Sequence, residues 1–180
     1  MTTYIGLLRA VNLGPHNRVG MKDLAALLTK LGMQDVRTLL ASGNVVFRSD
    51  NASAEKLETL FEDAVAKKMK VETDFFVRSA AEWQAIVDAN PFPKMAKDDP
   101  GHLIMMCLKA APPAASVTAL QKAIKGRETV KAKGRQAYFV YPDGVGNSKL
   151  TINVIEKHLG ASGTARNWNT VLKLASATQA

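Results

Sequence analysis

Arg166-Asn167-Trp168-Asn169-Thr170 sets one guanidinium, two carboxamides and a hydroxyl within five residues at a predicted helix start. Guanidinium forks and free helix N–H groups match the oxygens of a carboxylate or phosphate, and the helix dipole favours the same charge. Two readings fit this string. In one, Arg166 and Asn169 join Arg9 in an anion pocket with Trp168 as its wall. In the other, Asn167 or Asn169 only caps the helix, Trp168 packs in the core and Arg166 pairs with an acidic neighbour. A second cluster is denser in charge: Lys122, Lys125, Arg127, Lys131, Lys133 and Arg135 crowd fourteen residues against one acid, Glu128. Such a cluster attracts phosphate-rich partners, nucleic acid among them, and Lys131, Lys133 and Arg135 are its nucleic-acid-binding candidates. Lysines on an exposed hairpin also keep an edge strand from pairing between molecules.

Other reactive groups are sparse. Cys107 is the single cysteine and lies in the apolar run LIMMCL, where a thiol acts as a small hydrophobe. One cysteine excludes an internal disulfide, and His16, His102 and His158 are isolated, so no metal site is expected. No GxxxxGK[ST] or GxGxxG string exists, and no cofactor is expected. In GRQAYFVY, Tyr138 and Tyr141 fall on two aromatic positions of an RNA-stacking strand, but Gln136 occupies the third and HLIMMCLKA offers no partner.

The elements that position these groups follow from periodicity. The run TYIGLLRAVNL reads as a buried strand broken at Gly14-Pro15. Met21, Leu24, Leu27, Leu28 and Leu31 then keep helical spacing up to Gly32, where a helix end belongs. Val36 to Leu40 and Asn44 to Arg48 read as strands joined by a corner at Ala41-Ser42-Gly43, which Asn44 shapes. Ser53 caps a helix with Leu57, Leu60, Phe61, Ala64 and Val65 inward. The strand TDFFVR follows, and Ser79-Ala80-Ala81-Glu82 forms a capping box for a helix bearing Trp83, Ile86 and Val87. The second half repeats the order: strand HLIMMCLKA, helix at Val117, Leu120 and Ile124, hairpin ETVKAK and AYFVYP, helix Leu150 to Leu159, strand at Thr164-Ala165-Arg166 and a last helix.

Two βαββαβ units, each with an added helix, imply an α+β fold of two tandem ferredoxin-like subdomains with antiparallel sheets. The expected boundaries are 1–90, a linker at 91–100 rich in proline and charge, and 101–180. Residues 1–90 hold 11 Lys/Arg and 11 Asp/Glu, whereas 91–180 hold 13 and 5, so the second subdomain carries the whole net charge of +8. With 180 residues, 47% hydrophobic and 22% charged, the chain is a globular protein and not a disordered one. No apolar run reaches the ~20 residues of a membrane span, and the start MTTYIGLLRAVNLG lacks a signal-peptide pattern, so a cytoplasmic protein without a membrane partner is expected.

The segments LLRAVNLGPHNRVGMKDL, LGMQDVRTLLASGNVVF, NPFP and TARNWNTVLKL resemble, in order and spacing, the DUF1697 family of bacterial proteins, a family of unknown function. Where its members commonly show Arg-Gly-Ile-Asn-Val-Gly-Gly, this chain has Arg9-Ala10-Val11-Asn12-Leu13-Gly14-Pro15. The resemblance implies the same tandem ferredoxin-like fold and marks Arg9, Asn12, Ser42, Gly43, Asn44, Lys149, Arg166, Asn167, Asn169 and Thr170 as motif residues. These are donors and amides rather than acids and bases, which suits holding a carboxylate or phosphate better than moving a proton. The expectation is a binding module for an anionic small molecule at the junction of the subdomains, with nucleic acid as a second class of anion. The alternative is an enzyme acting on a phosphorylated or carboxylated small molecule.

Overall fold

The structure is a computed structural model and describes residues 1–50 and 53–180. In chain order it contains β1 (Thr2–Leu8), α1 (Met21–Lys30), β2 (Gln34–Leu39), β3 (Asn44–Ser49), α2 (Ala54–Met69), β4 (Phe75–Ser79) and α3 (Ala80–Asp88). After α4 (Pro93–Asp98) come β5 (Leu103–Leu108), α5 (Ala114–Ala123), β6 (Thr129–Lys133), β7 (Gln136–Val140), α6 (Ile152–Leu159), β8 (Gly163–Asn167) and α7 (Trp168–Ala177). The chain forms two compact units, Met1–Ala85 with Leu174–Ala180, and Ile86–Lys173, so the division falls inside α3 and α7. The stretch 91–100, read above as a linker, carries α4.

Each unit holds a four-stranded antiparallel sheet, ordered β2-β3-β1-β4 in the first and β6-β7-β5-β8 in the second. This is the ferredoxin-like order expected from the element pattern. The central strands β1 and β5 are buried on both faces, which is why their sequences are nearly continuous apolar runs rather than alternating ones. On the first unit's helix side Leu8, Val45, Phe47, Phe75 and Val77 meet Leu24 and Leu28 of α1 and Leu57, Phe61 and Val65 of α2. In the second, Met106, Leu108, Ala137 and Phe139 meet Leu120 of α5 and Ile155 and Leu159 of α6.

Local signals set the helix ends. Ser53 accepts from Lys56 N at 3.4 Å, and the Ser79/Glu82 box is reciprocal, Glu82 N to Ser79 Oγ at 3.1 Å and Ser79 N to Glu82 Oε2 at 2.7 Å. The first strand stops at Leu8, leaving Leu13 81% exposed in the loop beyond, and Leu60, which periodicity places inward, is 39% exposed. The buried arc of α2 is Leu57, Glu58, Phe61 and Val65, because the helix turns two carboxylates toward the edge strand β4 and Leu60 rotates out. There Glu62 Oε1 accepts from Phe75 N at 2.9 Å and Glu58 Oε1 from Val77 N at 2.8 Å. With Glu82 on Ser79 N, three carboxylates close the outward N–H groups of that edge, which would otherwise template pairing with another strand.

The two sheets match at single positions. Arg78 pairs across from Ile5, and Arg166 across from Met105, at the same register in the two sheets. Each folds back on the carbonyl before it, Arg78 Nη1 to Val77 O at 2.9 Å and Arg166 Nη1 to Ala165 O at 2.8 Å. A cap residue follows each, Ser79 or Asn167, and starts a helix.

Candidate functional site

The first-unit motif residues shape two adjoining turns. Asn12, at φ +57°, donates through Nδ2 to Val19 O at 2.9 Å and Ala41 O at 2.8 Å, and its Oδ1 accepts from Val19 N at 2.9 Å. The side chain thus ties the loop after β1 to the β2–β3 corner. Asn44 is fully buried and donates to Leu39 O at 2.8 Å and Ser42 Oγ at 3.0 Å, bracing that corner from inside. Gly43 has φ +88°, and a Cβ there would stand 2.8 Å from Val11 Cγ2 and 2.9 Å from Leu8 Cβ. Ala10, where the family commonly has glycine, keeps φ +52°. Arg9 lines a cavity of about 420 Å³ with Glu62, Asp63, Glu72 and Asp74, and its Nη1 lies 4.0 Å from Asp74 Oδ2. That surrounding is acidic.

The late motif divides along β8 and α7. Asn167 is the cap, its Oδ1 accepting from Thr170 N at 3.1 Å, and Asn169 is exposed. Trp168 is buried, with its ring 6.3 Å from that of Tyr138. Arg166 is 8% exposed and donates to Thr164 Oγ1 at 2.8 Å as well as to the Ala165 carbonyl. Burial pushes its guanidinium down to about 10, since a low-dielectric surrounding disfavours the charged form. Loss of the proton at neutral pH does not follow.

The basic hairpin turns at Gly134, φ +60°, with Lys131 and Lys133 exposed on the edge strand β6. Lys131 Nζ sits 5.3 Å from the centroid of the Phe92 ring. Neither tyrosine of β7 and its end is available for base stacking. Tyr138 is fully buried and donates to Ile86 O at 2.6 Å; Tyr141 packs in the helix-side core and donates to Leu150 O at 3.0 Å. Desolvation raises both phenols to about 12.

Lys149 has a different setting. It lines a cavity of about 490 Å³ in the second unit, formed by the end of α5, the segment 124–128, the connection after β7 and the start of α6. Leu120, Ala123, Ile124, Leu150 and Val154 make the apolar part, and Lys125, Glu128, Asp143, Asn147 and Lys149 the polar part. The two acids are engaged. Asp143 takes a bidentate pair from Arg127 through Nε and Nη2, which lowers the carboxyl and raises the guanidinium from their ordinary values, and Glu128 accepts from Ser148 Oγ at 2.5 Å. No carboxylate lies within ion-pair distance of the Lys125 or Lys149 ammonium among the described residues. His102, isolated in the sequence, pairs through Nδ1 with Asp99 at 2.7 Å across a 3₁₀ turn, and its Nε2 lies near Gly144. In the sequence Lys125 is one member of a charge run; the segment 124–128 puts it on the same cavity as Lys149.

The motif residues are divided between the two units. Arg9, Asn12, Ser42 and Asn44 belong to the first unit, and Lys149, Arg166, Asn167, Asn169 and Thr170 to the second, where Lys149 alone of the five lines this cavity. No group of three His, Cys, Asp or Glu is placed to hold a metal among the described residues. No helix among them is long and apolar enough to cross a membrane.

Comparison with known proteins decides the lineage. A family model described as a protein of unknown function, DUF1697, matches residues 1–138. The chain belongs to the DUF1697 family. This DUF1697 chain also superposes on a conserved bacterial protein of Streptococcus pneumoniae with a TM-score of 0.75 and 22% identity, covering 98% of each chain. That likeness is one of fold, and it spans both units. No curated protein matches the sequence.

Proposed function

We propose that the protein is a binding module for a small anionic ligand, carboxylate or phosphate, taken up in the second unit's cavity by Lys149 and Lys125. One observation carries this reading: the two carboxylates of the cavity are already satisfied by Arg127 and Ser148, while its two ammonium groups have no such partner. The remaining motif residues act as scaffold in it, Asn12, Ser42 and Asn44 for the first unit's turns, Arg166, Asn167 and Thr170 for the strand-to-helix passage of the second. A thermal-shift series with phosphate, sulfate and mono- and dicarboxylates tests it on wild type and Lys125→Gln/Lys149→Gln. A bound ligand at about a hundred times its Kd adds about 2.7 kcal/mol. A rise in Tm seen in wild type and lost in the variant supports the module; equal shifts, or none, overturn it.

The enzyme alternative has one observation in its favour, the Asp99–His102 pair, since a carboxylate on Nδ1 fixes the imidazole tautomer that a general base needs. Turnover of a phosphate-ester or carboxylate-ester panel, abolished by His102→Ala with binding retained, would establish it. The polymer reading is weaker, because the hairpin offers charge without an exposed aromatic platform.

A further inference from the structure

The cavity that carries the proposed function also constrains which anion it takes. Three cations, Lys125, Lys149 and Arg127, stand against two carboxylates, Glu128 and Asp143, which leaves one positive charge for a ligand. A doubly charged phosphate meets two carboxylates at the rim, whereas a single carboxylate balances the site. Below the rim the walls change character. Ile124 and Val154 are half-buried and Leu150 is 6% exposed, so aliphatic carbon faces the cavity, with the fully buried Leu120 behind it. The volume, about 490 Å³, lies in the range of small-molecule sites, which combine apolar walls with a few polar groups that set orientation.

The fold provides an internal comparison. The corresponding place in the first unit, between the end of α1 and the start of α2, is lined by Leu31, Leu57, Leu60, Lys56 and Asp50 and measures about 290 Å³. Asp50 there is paired with the Met1 ammonium at 3.3 Å and Lys56 lines the same place, so what sets it apart is its smaller volume. The second unit joins its hairpin to α6 through the longer connection 141–151, which includes the 3₁₀ turn Val145–Asn147 and brings in Asn147 and Lys149.

We infer that the ligand is an amphipathic monocarboxylate, with its carboxylate held by Lys125 and Lys149 and an aliphatic or aromatic body against Ile124, Leu150 and Val154. This rests on the anion-binding reading above and narrows it to one class. Titration calorimetry on the full chain with acetate, butyrate, hexanoate and octanoate tests it, with inorganic phosphate and the neutral alcohol octanol as comparisons. Affinity is expected to rise by about fourfold per methylene, the ordinary worth of a buried CH₂. Lys149→Gln should weaken every carboxylate by up to about fivefold, as for a partly exposed ion pair. Ala123→Trp, at an exposed wall position, should remove the chain-length gain. If phosphate binds as tightly as octanoate and chain length has no effect, anion binding stands and the monocarboxylate assignment is overturned. If octanol equals octanoate, the assignment is overturned because charge plays no part. If no anion binds wild type at all, the anion reading falls and this inference falls with it.

Discussion

Asn12 uses both amide protons and its oxygen on three backbone groups, so the residue most suggestive of ligand chemistry in the opening segment also holds the local backbone together. Asn12→Ala should cost about 2–3 kcal/mol in urea unfolding, at roughly 1 kcal/mol per part-buried hydrogen bond; a loss under about 0.5 kcal/mol would show that the loop is held otherwise. Ala10 makes the opposite case. At φ +52° an alanine is strained where glycine is not, so Ala10→Gly should stabilise by up to about 1 kcal/mol despite glycine's freer unfolded state. No change, or a loss, would mean that the left-handed turn is unstrained. The two buried tyrosines add a pH dependence. Their folded phenols sit at about 12 against an ordinary 10.0, so the folded state holds these protons more tightly. Their contribution is complete below about pH 10 and is lost as pH rises toward 12. Alkaline unfolding should follow that window, and Tyr141→Phe should flatten it; an unchanged alkaline limb would contradict the burial argument. Of these residues, Ser79 and Glu82 were legible in the sequence because a capping box closes within three residues, whereas the partners of Asn12 lie up to 29 positions away.

Among the elements, β4 shows what amphipathic periodicity leaves out. Leu57, Phe61 and Val65 repeat every four residues and announce the buried stripe of α2, but which flank joins it is decided by a strand that lies outside the helix. That strand offers outward N–H groups, and Glu58 and Glu62 meet them, turning Leu60 toward solvent. Leu28→Ala should therefore cost about 2–5 kcal/mol as a core cavity, and Leu60→Ala only about 0.5–1 kcal/mol as a loss of partial burial. Equal costs in denaturant unfolding would reverse that assignment. Glu58→Ala should be the severest of the set, about 3–5 kcal/mol, since it strips Val77 N of its acceptor and removes the carboxylate that lies 3.6 Å from the buried Arg78 guanidinium. The double change Glu58→Leu/Arg78→Met should cost less than Glu58→Ala alone; if it costs more, the ion pair contributes net stability and not only edge closure.

For the whole chain, membership of the units is not a matter of sequence halves. Leu174–Ala180 belongs to the first unit, where Arg37 Nη2 donates to Ala177 O at 2.8 Å. Truncation after Lys173 should lower the stability of the first unit by about 1–3 kcal/mol. The change can be read from Trp83, which lies in that unit, in a Trp168→Phe background; an unshifted Trp83 transition would show that the C-terminal segment contributes nothing there. The net charge of +8 belongs to the same scale. A net positive charge favours polyanions at low salt, and were the hairpin to hold a duplex, Lys131, Lys133 and Arg135 to Ala would reduce the salt slope of that binding by up to about 0.9 per cation removed. Binding that persists at high salt, or an unaltered slope, would place the contact elsewhere.

Apart from α4, the order of elements, the antiparallel ferredoxin-like sheets and the cap residues were determined by the sequence itself, because periodicity, turn residues and capping act within a few positions of the chain. The partners of the polar side chains were not. Whether Arg166 faces a ligand or plugs its own strand edge, whether Tyr138 stands on an open sheet or beneath a covering, and whether Lys125 and Lys149 line one cavity depend on groups that come together only when distant segments pack. Burial and long-range hydrogen bonding are properties of that packing, so they were decided by the tertiary structure alone.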